Sequence, residues 1–320
     1  MPSNPRKART SGDGSETSQP PEALKTPEKP VQAGKAPLQK TTPKKSAKWQ
    51  ELVIRIASAM VLIPVVLIVI AMPLDWMPFS RPWPFLVMLS VGVSLLCIEW
   101  GLMSAPAMSG RMAIAVGAAT LCGVFVAYMS HPVLAFLILM FGALCAGLYA
   151  YRLKSNWLDA AYGTLYIGIP AIVLIWLRDT HNGRDWVFFA FLIAWASDSA
   201  AYVVGKLVGG PKLWRRYSPN KTWSGFAGGM IAGMLTAATL ADVTHLLAHD
   251  TSAMVVGLIV ALSTMAGDLW ESALKRRFGV KDAGALIPGH GGLMDRVDGL
   301  MFAIVALGIV RMLVFLGTEI

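Results

Sequence analysis

From residue 52 onward the chain is a succession of long apolar runs parted by short polar connections. A helix needs about 20 apolar residues to cross the hydrocarbon core of a bilayer. Runs of that length stand at 52–72, 84–104, 111–129, 132–150, 158–178, 186–207, 223–246, 252–273 and 297–317. The pattern predicts an all-α, polytopic integral membrane protein of about nine transmembrane helices. Pro64 and Pro170 fall inside runs, where membrane helices tolerate them as kinks. Residues 1–51 break the pattern: they are rich in Pro, Lys, Ser, Thr and Gly, and Trp49 is their only aromatic. Such a stretch buries too little apolar surface to offset its ordering entropy. It reads as a disordered basic tail, and 52–320 as a transmembrane domain with polar loops at 206–222 and 274–296. The tail is too long, and the first run too extended, for a cleaved signal peptide.

Composition agrees with this division, with 55% hydrophobic residues, 15% charged residues and a mean hydropathy of +0.56. The net charge of +9 is uneven, because residues 1–50 hold ten Lys and Arg against four Asp and Glu and leave only +3 for the other 270 residues. A membrane domain without a broad basic face excludes nucleic acid as the partner. The run from Lys40 to Lys48 stands where it can touch anionic headgroups, at about 1 kcal/mol per basic residue. Counting Lys and Arg in alternate connections gives thirteen on the side of the tail and three (Arg81, Arg178, Arg184) on the other. The positive-inside rule then puts the N-terminus and both large polar loops in the cytoplasm. Cys97, Cys122 and Cys145 lie in apolar runs without close partners and read as packing residues. His131, His181, His245 and His249 match no zinc spacing and read as interfacial.

Charge gathers in one stretch, Gly267–Gly299, which holds Asp268, Glu271, Lys275, Arg276, Arg277, Lys281, Asp282, His290, Asp295, Arg296 and Asp298. Asp268, Glu271, Ser272 and Lys275 recur at helical spacing, so they form a polar stripe at the end of a helix. Asp295 and Asp298 lie three apart at the start of the next run. Between them, Gly279, Gly284, Pro288, Gly289, Gly291 and Gly292 suit a loop that wraps closely around a polar ligand. Carboxylates are hard ligands for Mg²⁺, while Lys, Arg and backbone amides neutralise phosphate oxygens. The pattern points to metal-dependent phosphoryl or nucleotidyl transfer. Asp198 lies inside the sixth run, where an ionisable residue faces a cavity or a partner. Ser218, Lys221 and Thr222 precede the seventh, whose helical N-terminus favours anions. Glu99 beside Trp100 reads as structural. The small residues of 225–233 suit close helix packing or a lipid-accessible groove. The chain contains no P-loop, no H-E-x-x-H and no G-x-S-x-G.

These residues also carry a family resemblance. Ser272, Lys275-Arg276, Lys281-Asp282, Ile287-Pro288-Gly289-His290-Gly291-Gly292 and Asp295-Arg296-Val297-Asp298 resemble the C-terminal motif of the phosphatidate cytidylyltransferases, also called CDP-diacylglycerol synthases. Asp198, Tyr202 and Gly205, and the segment Ser218-Pro219-Asn220-Lys221-Thr222, resemble upstream patterns of that family. The sequence departs from the family at Ser224, where Glu is usual, and no carboxylate role is assigned there. The resemblance implies transfer of CMP from CTP to phosphatidic acid, with Mg²⁺ as cofactor and a second cation open. It places Asp268, Asp295, Lys275 and Arg296 in catalysis. Metal ligation falls to Asp268 and Asp295, with Asp298 and Asp198 nearby. Substrate contact falls to Ser218, Lys221, Thr222, Arg276, Lys281, Asp282, His290, Gly291 and Gly292. Use of dCTP and a homodimer stay open, and a bacterial inner membrane is the expected location. Two other readings stand beside this one: a CTP-dependent kinase of a lipid alcohol, and a transporter with a coupling-ion site. Against the transporter, charge clusters at one membrane face and no inverted repeat is evident.

Overall fold

The computed structural model describes residues 60–72, 83–214, 218–247, 249–284 and 291–318. A short apolar helix, α1 (Met60–Ala71), leads into eight longer ones. These are α2 (Trp83–Ser104), α3 (Ser109–Tyr128), α4 (Pro132–Arg152), α5 (Trp157–Asp179), α6 (Gly183–Leu207), α7 (Trp223–Thr244), α8 (Asp250–Arg277) and α9 (Met294–Thr318). Among the described residues these eight are long and apolar enough to cross a membrane. Of the first expected run, 52–59 lies outside the described residues, as do the tail at 1–51 and, from the polar loops, Arg215, Arg216 and His290.

Helix α5 is the hub, with about 72% of its apolar window buried and contacts to α2, α3, α4, α6 and α9. It starts where the Asn156 side chain accepts the Leu158 N–H at 3.1 Å, an N-cap that supplies a partner for one of the helix's unpaired amides. Pro170 sits within it without ending it. Gly163 lets α5 approach the buried Trp100 of α2, whose indole N–H donates to the Asp159 carbonyl at 3.0 Å. A second layer is made by α6, α7 and α8. A Cβ at Gly225 would lie 2.5 Å from the Ala201 carbonyl, and one at Gly233 would lie 2.6 Å from the Ala261 Cβ. The glycine-rich face of α7 is therefore spent on backbone-close packing against α6 and α8, as small residues permit in membranes.

Two features depart from the reading by apolar runs. Helix α8 continues to Arg277 and α9 begins at Met294, past the bounds of the apolar runs at 273 and 297, so Lys275 stands on a helix as its spacing predicts, and Asp295 does too. Helix macrodipoles explain the extension, because α8 ends in Lys275, Arg276 and Arg277 and α9 opens with Asp295 in its first turn. The loop after α6 also contains a small antiparallel hairpin, β1 (Lys212–Trp214) with β2 (Ser218–Thr222), pairing Lys212 with Thr222 and Trp214 with Ser218. Because α7 runs away from this loop and α8 returns, both polar connections meet at one end of the bundle.

Candidate active site

Helix α8 sets the site. Asp268, Glu271 and Lys275 fall at i, i+3 and i+7, on one face. That face meets the start of α9 at a glycine contact. A Cβ on Gly267 would lie 2.5 Å from the Asp298 carbonyl, and one on Gly299 would lie 2.9 Å from the Thr264 carbonyl. Backbone-to-backbone approach brings the acids of the two helices together. Gly267→Val is therefore expected to destabilise the protein by about 1–3 kcal/mol through overpacking. Thermal unfolding in detergent measures this, and an unchanged melt would count against the contact.

Around this face lie two charge groups. In the first, Lys221 of β2 pairs with Asp268. Both line a cavity of about 480 Å³ together with Asp198, Tyr202, Lys206 and Lys212, a size typical of small-molecule sites. Thr222 also borders the cavity, yet its hydroxyl accepts the Gly225 N–H at 3.2 Å and so caps α7. Ser224, at the position where the resemblance would put Glu, donates its hydroxyl to the Gly209 carbonyl and holds the hairpin loop to the helix start.

In the second group the Lys275 ammonium bridges Glu271 Oε2 at 2.6 Å and Asp295 Oδ1 at 2.5 Å. Asp295 Oδ2 accepts two backbone amides, from Ala283 and from Gly292, each at 3.1 Å. One carboxylate thus clips both ends of the glycine-rich loop to α8. Asp298 stands between the groups, close enough to feel both Asp268 and Glu271, with one carboxylate oxygen on the Gly299 N–H at 2.8 Å. Arg276, Lys281, Asp282 and Arg296 are exposed around the loop, and Ser218 and Gly291 are half-buried.

Reading the sequence left three groups without a role here. Glu99, 0% exposed on α2, accepts the N–H of Leu293 through Oε1 and of Met294 through Oε2, each at 2.7 Å. It holds the first turn of α9, where the helix dipole also favours a negative charge. Gly284 and Gly292 make room for it, since a Cβ at either would come within 3.0 Å of its side chain. A glutamate inside an apolar run is itself the signal that could have found it. Glu271 is 1% exposed, and its Oε1 meets no donor among the described residues. Tyr166 of α5, 8% exposed, carries a hydroxyl with no partner among the described residues and lies in the field of Asp298, Glu271 and Asp268.

Among the described residues no three His, Cys, Asp or Glu side chains converge so as to hold an ion unaided. The donors are nonetheless all hard oxygens, and the Glu271 oxygen is unsatisfied. This set fits Mg²⁺, which is usually held by one or two carboxylates and completes its shell with water and substrate phosphates.

The profile of the cytidylyltransferase family matches residues 53–314. Curated relatives named phosphatidate cytidylyltransferase include one from Brucella suis, 44% identical over 163 residues, and one from Staphylococcus saprophyticus, 37% identical over 157. These alignments take in 50% and 49% of this chain and 59% and 60% of the relatives, so the chain spans about three fifths of the length of the relatives it matches. The family match takes in all but the last turn of the helical bundle and both charge groups at its polar end, and on that ground the chain belongs to the cytidylyltransferase family.

Proposed function

We propose that this protein is a CTP:phosphatidate cytidylyltransferase. A phosphate oxygen of phosphatidic acid attacks the α-phosphorus of CTP, the bond from that phosphorus to the bridging oxygen breaks, and pyrophosphate leaves with the electron pair. The products are CDP-diacylglycerol and pyrophosphate. The observation that carries the reading is the meeting, on one face of α8, of Lys221 from the upstream segment with Asp268, and of Asp295 from the downstream segment with Lys275. Family membership and the relatives' name support the choice of nucleotide and lipid.

The attacking group is already anionic, so no strong general base is required. The task is to bring two anions together and stabilise the charge that grows on the leaving group. Asp268 and Asp295 would hold Mg²⁺, with Asp298 and Asp198 close by for it or a second cation. When bound, the ion would polarise the phosphoryl oxygens and offset leaving-group charge. Lys221, Lys275, Arg276, Lys281 and Arg296 neutralise phosphates, and Ser218 and the Gly291 amide donate to them, while the Gly292 amide stays on Asp295 and holds the loop that faces the substrate. The same reading puts His290 at the nucleotide. It also puts the site on the cytoplasmic face of a bacterial inner membrane, where CTP is available, and leaves dCTP and a homodimer to direct assay.

Detergent-purified protein given phosphatidic acid, Mg²⁺ and CTP labelled at the α-phosphate tests the reading. Label is expected in a chloroform-soluble product only when Mg²⁺ is present. Transfer of γ-label into the lipid instead would identify a CTP-dependent kinase.

A further inference from the structure

A second cavity, of about 180 Å³, lies between α2, α5 and α9, with Val66 of α1 and Phe191 of α6 also on its wall. Every residue lining it is apolar, glycine or proline, so it offers a water no polar partner. One end is formed by Leu293 and Val297, on either side of the Met294 amide that Glu99 holds. The far end reaches Ile304. Eleven residues of helix separate Leu293 from Ile304, about 16 Å at 1.5 Å per residue. That is about the depth of one leaflet of a hydrocarbon core roughly 30 Å thick. The slot therefore starts at the turn that carries Asp295 and Asp298 and runs down to the bilayer middle.

Several occupants are ruled out by size and chemistry. A helix with side chains is about 10 Å across, too wide for this volume. The N-terminal tail, rich in Lys and Pro, has no apolar segment to fill it. A hydrocarbon chain fits the lining and the depth. Gly92 adds a local sign of spare room, because a Cβ built there has nothing within 4 Å.

We propose that this slot takes one acyl chain of the phosphate-bearing lipid substrate and thereby hangs its phosphate at the start of α9. The proposal rests on the cytidylyltransferase reading and adds the lipid's seat to it. Lipid tails are as apolar as the slot, so little affinity comes from burial. The gain is in orientation, which lowers the barrier by holding the reacting atoms in place.

Gly92 lies seven residues below Glu99, about 10 Å deeper. A six-carbon chain would not reach it, whereas an eighteen-carbon chain would pass it. In Gly92→Leu, kcat/KM for dioleoyl phosphatidic acid is expected to fall at least about tenfold, within the range one misfitting side chain gives. Transfer to dihexanoyl phosphatidic acid should hold at the wild-type rate. Leu is a better helix former than Gly, and Gly110→Leu, also into open space but outside the slot, serves as control and should leave both rates unchanged. Met88→Trp blocks the slot one turn deeper and should lower the same ratio even if Gly92→Leu folds poorly. An unchanged ratio in the folded variants, or equal loss on both substrates, would overturn the proposal. Wild-type protein inactive on both lipids would instead overturn the cytidylyltransferase reading beneath it.

Discussion

Asp295→Asn is expected to abolish nucleotidyl transfer, by at least about a hundredfold, the scale on which loss of one preorganised electrostatic group acts. Asp295 accepts the Lys275 ammonium at 2.5 Å and the amides of Ala283 and Gly292 at 3.1 Å. An Asn side chain is neutral and has a single acceptor oxygen, so its amide nitrogen must face one of these donors. The charge-assisted bond to Lys275, about 1.5–3 kcal/mol, is weakened, and Lys275 turns to Glu271. Membrane insertion and folding should survive, because Lys275 keeps its bridge to Glu271 at 2.6 Å. Label transfer and a detergent melt on the same sample separate the outcomes. Lost transfer with an intact fold puts the carboxylate in the reaction, and lost folding would make it structural. Near wild-type transfer would remove it from the site.

Glu99→Gln comes second in size. Both oxygens of the buried carboxylate are occupied by backbone amides, and Gln can accept only one of them. A buried amide without an acceptor costs about 1–3 kcal/mol. The start of α9 should loosen and displace Asp295 and Asp298. Transfer should fall at least about tenfold in kcat while KM for CTP changes little, because Glu99 is a positioning residue and does not face the cavity that holds Lys221. Glu99→Asp, which keeps the charge but is one methylene shorter, should recover part of the rate. A drop in melting temperature with an unchanged kcat in the folded fraction would reduce Glu99 to a packing role.

What could be read in advance was what is local. Asp268, Glu271 and Lys275 repeat at helical spacing, so their shared face followed from periodicity alone. The spans at 84–104 and 132–150 lie within two residues of α2 and α4, because an apolar run and its helix end at the same polar residues. The rest depends on partners far away in the chain. Glu99 meets Leu293 and Met294 across 194 and 195 residues, a pairing that no window of sequence contains. The β1–β2 hairpin lies in a short polar segment without periodicity, and its strands of three and five residues are shorter than any pattern can register. Thr222, read from the sequence only as a substrate contact, also caps α7 by accepting the Gly225 N–H, a role that depends on where the helix begins. Tyr166 gave no signal, since an aromatic in an apolar helix is ordinary until its hydroxyl is found without a partner.

The clasp between α2 and α9 has a consequence for how the protein is made. A ribosome adds about 5–20 residues per second, so Leu293 and Met294 emerge roughly 10 to 40 s after Glu99. Throughout that interval a nascent second helix carries an acidic side chain whose described hydrogen-bond donors, the Leu293 and Met294 amides, have not been synthesised. Such a helix is a costly passenger in lipid. It should rest near the insertion machinery until the last helix arrives. Assembly of the site is thereby tied to completion of the chain, and a truncated product ending before α9 would keep this acid without its amide donors.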